Sequence, residues 1–378
     1  MADTKRLDFV QAMRGIAALM VVLCHARWFL VGTPQQDFAE WLLYCGSAGV
    51  DIFFVISGFV MVYSTRNSDG SLFYSVEFLV KRFAKIWVPY AVIGLISFYY
   101  LHGSRTFDSA NIAWMAKSLL FIPPDVNDFF YLGSGLTPVA WSLNYEFYFY
   151  LIFAGSLLFG KFRWLALFGW MFVFVYLIPV HDRGFFSVLP FSRIESNAAY
   201  LQMMTNPIIL EFLAGVVLGF VYLSPLKIRS ATLCRLACFY AISACAWAWM
   251  AHFRPVNSIG YFGIFAVAVM FCFSIASKTI PMHVPRVLVW LGGISYSLYL
   301  VHPMVNAFLD RQFIAHGMQD VTHSWAHVVI TTATSIVVAA VSNYALERMA
   351  HDLVRDKLLS ILHPWQRKSQ PAPLASRN

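Results

Sequence analysis

Charge is scarce in this sequence: Asp, Glu, Lys and Arg make up 12% of the 378 residues, against 59% hydrophobic and 17% aromatic. A soluble domain carries about 25% charged residues, so a water-facing surface of ordinary proportions is excluded and the chain reads as an integral membrane protein. Cysteine is sparse too. The six, Cys24, Cys45, Cys234, Cys238, Cys245 and Cys272, lie in or beside apolar stretches with no metal-ligand clustering, so they read as small core residues and no metal is expected. No internal repeat is visible, and no loop is long enough for a second folded domain. No small-residue cleavage site follows the first apolar stretch, which predicts an uncleaved first span.

What is present in quantity is apolar sequence in windows that can cross about 30 Å of hydrocarbon at about 1.5 Å per residue. The windows predict spans at 8–31, 45–64, 86–102, 141–160, 163–180, 206–223, 232–252, 259–277, 287–307 and 325–346. The expected fold is therefore an all-α polytopic membrane bundle of ten transmembrane helices filling residues 1–350. The longest external connection, 102–140, holds a short apolar piece, "IAWMAKSLLFI", suited to the interface. Residues 351–378, ending "SQPAPLASRN", read as a solvated, disordered cytoplasmic tail.

Lys and Arg set the orientation, because short cytoplasmic loops retain positive charge. Of the 27, 19 fall on the side of the N-terminus and seven on the other, which puts both termini in the cytoplasm. The net charge of +8 is thus a topology signal and gives little reason to expect nucleic acid. Arg14 is left over, inside the first span.

"RGIAALMVVLCH" places Arg14 and His25 eleven residues apart, within about 20° of three full helical turns, so both lie on one face about 16 Å apart. An ionisable residue inside a membrane costs roughly 2.5–3.5 kcal/mol on insertion scales and usually marks a site. Taken singly, Arg14 reads as snorkelling to the headgroups and His25 as a satisfied core histidine. Other spans change that balance. Asp51 enters the second span in "GVDIFFVISGF", where the serine and glycine mark a break or a close approach. Ser142, Glu146 and Tyr150 recur every four residues in "WSLNYEFYFY". Ser295, Tyr299 and His302 share a face in "LGGISYSLYLVHP". His25, Asp51, Glu146 and His302 are expected at a similar depth near the outer side. Each has a bland reading: a helix cap for Asp51, an arginine partner for Glu146, a helix end for His302 before Pro303. Lys81, Arg82 and Lys85 form a basic cluster before the third span, which serves topology or an anionic, phosphate-bearing ligand.

At these residues the sequence resembles the integral membrane acyltransferases of acyltransferase family 3, from about Arg6 to Glu347. The arginine, ten residues and histidine of the family's first helix are matched by Arg14 and His25. "VDIFFVISGF", "KRFAKIWVPY", "WSLNYEFYFY" and "LGGISYSLYLVH" resemble its later signatures in the same order. The opening "VQAMRGIAALMVVLCHA" is most similar to the exopolysaccharide and lipopolysaccharide O-acetyltransferase branch. Lys81 and Lys85 depart from a stretch often written with arginines, which bears on bidentate phosphate contact. The extracytoplasmic hydrolase-like domain that some members append is not seen, so transfer is expected to finish within the bundle.

The resemblance implies an enzyme of a bacterial inner membrane. It implies transfer of an acyl group, acetyl first among them, from cytoplasmic acyl-CoA to a hydroxyl of a cell-surface glycan or lipid-linked glycan. CoA phosphates are expected among Arg14, Lys81, Arg82 and Lys85, with the thioester near His25. His25 is the expected general base or acyl carrier, oriented by Asp51 or Glu146, with His302 at the same site. The competing expectation is a proton-coupled secondary transporter relaying through His25, Asp51, Glu146 and His302; the paired broken helices common in transporters are not evident. A non-catalytic assembly scaffold would leave Arg14 and His25 without work.

Overall fold

A computed structural model of the chain describes residues 7–369 apart from 126, 128–132, 193, 195 and 254. The charges at Lys5, Arg6, Arg193 and Arg254 and the end of the tail fall outside the described residues. The described residues are helical and form no strand. The main helices are α1 (Asp8–Ala26), α2 (Gly49–Ser64), α3 (Leu72–His102), α4 (Ser109–Leu119) and α5 (Trp141–Leu157). They continue as α6 (Gly160–Arg183), α7 (Pro207–Leu223), α8 (Ala231–Met250), α9 (Phe262–Ala276), α10 (Arg286–Gly293), α11 (Ser295–Ala315), α12 (Trp325–Ser342) and α13 (His351–Ser369).

Each of the ten expected spans coincides with helix. By length and composition, however, six described helices qualify to cross a membrane, or seven when α10 and α11, bent by 68° at their junction, count as one broken span. α7 and α9 are shorter apolar helices, and α5 has 17 residues. The chain is a multi-pass helical membrane protein.

α3 corrects an expected boundary. Hydropathy starts this span at 86, but the helix starts at Leu72, where the Ser71 hydroxyl accepts from the Tyr74 N–H at 3.1 Å. Charged residues are good helix formers and poor membrane formers, so hydropathy misses the charged half of the helix. At 31 residues α3 is about 46 Å long, longer than the hydrocarbon, and its basic stretch lies inside the helix rather than before it. The tail differs as well: 351–369 is helical, and α13 packs against α3 instead of running free.

Small residues bring the helices together, as packing in lipid requires. α2 runs unbroken through Ser57 and Gly58, so "ISGF" marks a close approach: a Cβ on Gly58 would strike the Phe212 carbonyl of α7, and one on Gly215 the Val55 carbonyl. α1 is clasped similarly. Gly49 lies against the Ala17 carbonyl and Gly292 of α10 against the Gln11 carbonyl. α1 is thereby fixed against α2 on one side and α10 on another, with α11 and α12 also packed on it.

The α10–α11 break is braced by the segment after α12. Asn343 donates through Nδ2 to the Gly293 carbonyl at 3.1 Å, and Glu347 accepts from the Ser297 N–H at 3.0 Å and from the Ser297 hydroxyl. A broken helix at membrane depth strands backbone groups that lipid cannot satisfy, and these two side chains supply the partners.

Candidate active site

α1, α2, α3, α5 and α11 enclose a cavity of about 100 Å³ whose wall includes Arg14, Arg82, Lys85, Glu146, Tyr150, Tyr296 and Tyr299. Three cations and one carboxylate make it net positive. Lys85 reaches the open space of the cavity and lies within electrostatic reach of Arg14, Arg82, Glu146 and Glu347. Arg82 donates to the Ser64 hydroxyl at 3.2 Å, and its guanidinium stands 5.5 Å from the ring centres of both Phe78 and Tyr150. Glu146 accepts from the Ser57 hydroxyl at 3.1 Å and from the Tyr150 hydroxyl one turn along α5. Repulsion among the cations is relieved by an anion, so the cavity suits a phosphate-bearing group.

Lys81 stands apart from this cluster. Its ammonium is 2.6 Å from Glu77 on the same helix, an i,i+4 pair, and it is not part of the cavity wall. Lys81 and Lys85 are four residues apart on one face of α3, but the Lys81 ammonium is taken by Glu77 one turn earlier.

Tyr299 leads from the cavity to the histidines. Its hydroxyl donates to the Val139 carbonyl at 2.9 Å and lies 2.8 Å from the Ser142 hydroxyl, while its ring meets that of His302 edge-on at 6.1 Å. His302 is fully buried, and its Nε2 is 3.3 Å from Nδ1 of His25. A carbonyl only accepts, so His302 Nδ1, 3.2 Å from the Leu298 oxygen, bears the proton, and Nε2 of the neutral ring accepts. His25 Nδ1, 2.9 Å from the Val21 oxygen, bears its proton for the same reason and shares it with His302. That leaves His25 Nε2 with its lone pair available. Sequence reasoning brought both histidines to the site but expected a carboxylate, Asp51 or Glu146, to orient His25; His302 holds that place.

Asp51 belongs to a different cluster. It is fully buried, accepts from Asn257, and faces Glu211 near the N-terminus of α7, also fully buried. Two ionised carboxylates only accept, so bonding between them requires one proton. The N-terminal turns of α2, α7 and α9 converge here, with Gly263 of α9 against the Glu211 carboxyl, and their dipoles favour negative charge. Glu146, for its part, sits among the cations rather than beside His25. The four ionisable residues expected together thus divide three ways. Glu211, Glu347 and Asn343 were missed; a lone carboxylate inside an apolar window, as in "ILEFLAG", is the signal that marks the first.

The acyltransferase-domain family model matches residues 7–344. The exopolysaccharide production protein ExoZ of Rhizobium meliloti (strain 1021) is 28% identical over 303 residues, covering 77% of this chain and 86% of that protein. Acyltransferase MdmB of Streptomyces mycarofaciens is 32% identical over 164 residues, covering 39% of this chain and 38% of that protein. No solved structure matches the chain.

Proposed function

This chain belongs to the acyltransferase-domain family, and from that membership we propose an O-acyltransferase that takes an acyl group, acetyl in the first instance, from cytoplasmic acyl-CoA. The acceptor is a hydroxyl of a cell-surface glycan such as exopolysaccharide or O-antigen, free or lipid-linked. The similarity to ExoZ supports the polysaccharide class. The setting is a bacterial inner membrane, with ten crossings and both termini in the cytoplasm. The family does not favour the transporter reading.

One observation carries the proposal: a cationic cavity holding Arg14 and a histidine pair at His25 are joined along a single face of α1. Arg14, Arg82 and Lys85 receive the phosphates of CoA, and the pantetheine arm runs along α1 so that the thioester carbonyl reaches His25. His25 Nε2 takes the acceptor hydroxyl proton as that oxygen attacks the carbonyl, then returns it to the departing CoA thiolate, leaving ester and thiol. The proton on Nδ1, held by Val21 and His302, keeps the tautomer with Nε2 as base, and His302 accepts the stronger hydrogen bond of the imidazolium. Attack by His25 Nε2 itself, with an acyl-histidine then cleaved by the acceptor, uses the same geometry.

Surface glycans from cells with and without the gene, compared by mass spectrometry and NMR, test the reading. An added acyl mass in the gene-bearing cells names the group, and the shifted proton names its position. Identical glycans from both would overturn it.

A further inference from the structure

The cavity at Arg14 changes character along its length. One end is charged: Arg82 bonds Ser64, the last residue of α2, and Ser57, two turns back along α2, bonds Glu146. Beyond Ser57 the α2 wall turns apolar, with Phe53 and Phe54 followed one turn further by Val50, and Leu143 of α5 joins them in the wall. Phe53 meets the Tyr299 ring edge-on at 6.0 Å, and Tyr299 in turn meets His302. The apolar end is therefore the end beside the histidine pair.

That end is short and firmly backed. Phe53 and Val50 are three residues apart, about 4.5 Å along the helix. Phe54 stacks on Phe212 at 4.4 Å and meets Trp141 edge-on at 6.3 Å, and Phe212 stacks on Phe149 at 4.7 Å. Phe149 and Phe212 are fully buried. Behind Phe54 there is close-packed core, which admits an extra methylene only at the cost of strain. Phe53 is half-buried in the cavity wall, and the Tyr299 ring that it meets is anchored through its hydroxyl to the Val139 carbonyl at 2.9 Å.

We propose that this apolar end receives the acyl group of the donor thioester and that Phe53 and Phe54 restrict it to a short chain, acetyl ahead of butyryl. The inference rests on the proposed transfer from acyl-CoA. With the CoA phosphates among Arg14, Arg82 and Lys85 and the thioester carbonyl at His25, the acyl carbons lie against this wall, and a longer chain meets the Phe54 stack. A hydrophobic pocket discriminates by about 10–200-fold per methylene. The two rings thus determine donor choice by shape, without touching the reacting atoms.

Calorimetry on the detergent-purified full chain with acetyl-CoA and butyryl-CoA reads the pocket as a ratio of affinities, in which damage to the phosphate end cancels. The native chain should bind butyryl-CoA at least about tenfold more weakly than acetyl-CoA. Phe53→Ala opens the apolar end and should remove most of that difference. Phe53→Leu is the milder change should Phe53→Ala not fold, and it should narrow the difference in the same direction. A native chain that binds butyryl-CoA as tightly as acetyl-CoA, or folded Phe53 variants that keep the native ratio, would overturn the pocket and leave transfer from acyl-CoA standing. A native chain that binds neither donor would overturn both.

Discussion

Nδ1 of His25 and Nε2 of His302 stand 3.3 Å apart and tie α1 to α11. The contact is between two side chains 277 residues apart in sequence, and it makes His302 a partner of His25 rather than a second independent base. His25→Ala should lower acyl transfer by about 10² to 10⁴, the contribution of a positioned acid–base group. His302→Ala leaves His25 its Val21 bond and should lower turnover by up to roughly tenfold, the equivalent of one neutral hydrogen bond. Both variants should keep donor affinity, measured by calorimetry with acyl-CoA. Equal turnover in native protein and His25→Ala would remove the base role.

The cavity separates Lys81 from its neighbours. Arg14→Ala should weaken acyl-CoA binding roughly tenfold to a hundredfold, the loss of a charge-assisted contact of about 1.5–3 kcal/mol, and Arg14→Lys should recover part of it. Lys81→Ala breaks only an i,i+4 pair of about 0.3–0.5 kcal/mol and should bind as the parent does. A Lys81 variant as weak as the Arg14 variant would show that the phosphates reach past the cavity to the Glu77–Lys81 pair instead.

Asp51 and Glu211 make a prediction about stability. Glu211→Gln supplies an amide N–H to the facing carboxylate, so its thermal transition in detergent should stay close to that of the parent. Glu211→Ala leaves Asp51 with a buried oxygen unpaired and should cost about 1–3 kcal/mol. A parent-like melt for Glu211→Ala would mean that the two carboxyls do not depend on each other.

The brace at the helix break behaves similarly. Glu347→Ala strips the acceptor from the Ser297 N–H and hydroxyl and should destabilise the protein by about 1–3 kcal/mol, whereas Glu347→Gln retains an acceptor and should not. Thermal unfolding followed by size-exclusion chromatography distinguishes the two.

Gly292 has no room for a side chain against the Gln11 carbonyl. Gly292→Ala should push α10 from α1 at about 1–3 kcal/mol, the cost of overpacking, and lower the yield of monodisperse protein. An unchanged melt would show that α1 and α10 have slack.

The sequence by itself determined the membrane class, the helical segments and the two ends of the α1 face, because hydropathy, charge and helical period are local properties. Arg14, Arg82, Lys85, His25 and His302 were all legible in that way, as charges and histidines placed where lipid makes them costly. Tertiary structure decided who meets whom. Similar depth and the family resemblance lead to the expectation that Asp51 or Glu146 orients His25, but the glycine contacts pack α2 onto α7, which brings Asp51 to Glu211, while Ser57 and Tyr150 hold Glu146 among the cations. Lys81 and Lys85 read alike in sequence and part company only because Glu77 lies one turn before Lys81. The apolar end of the cavity had no sequence signal at all, since a lipid-facing residue and a cavity-lining one are the same residue type, and only the spacing between helices tells them apart.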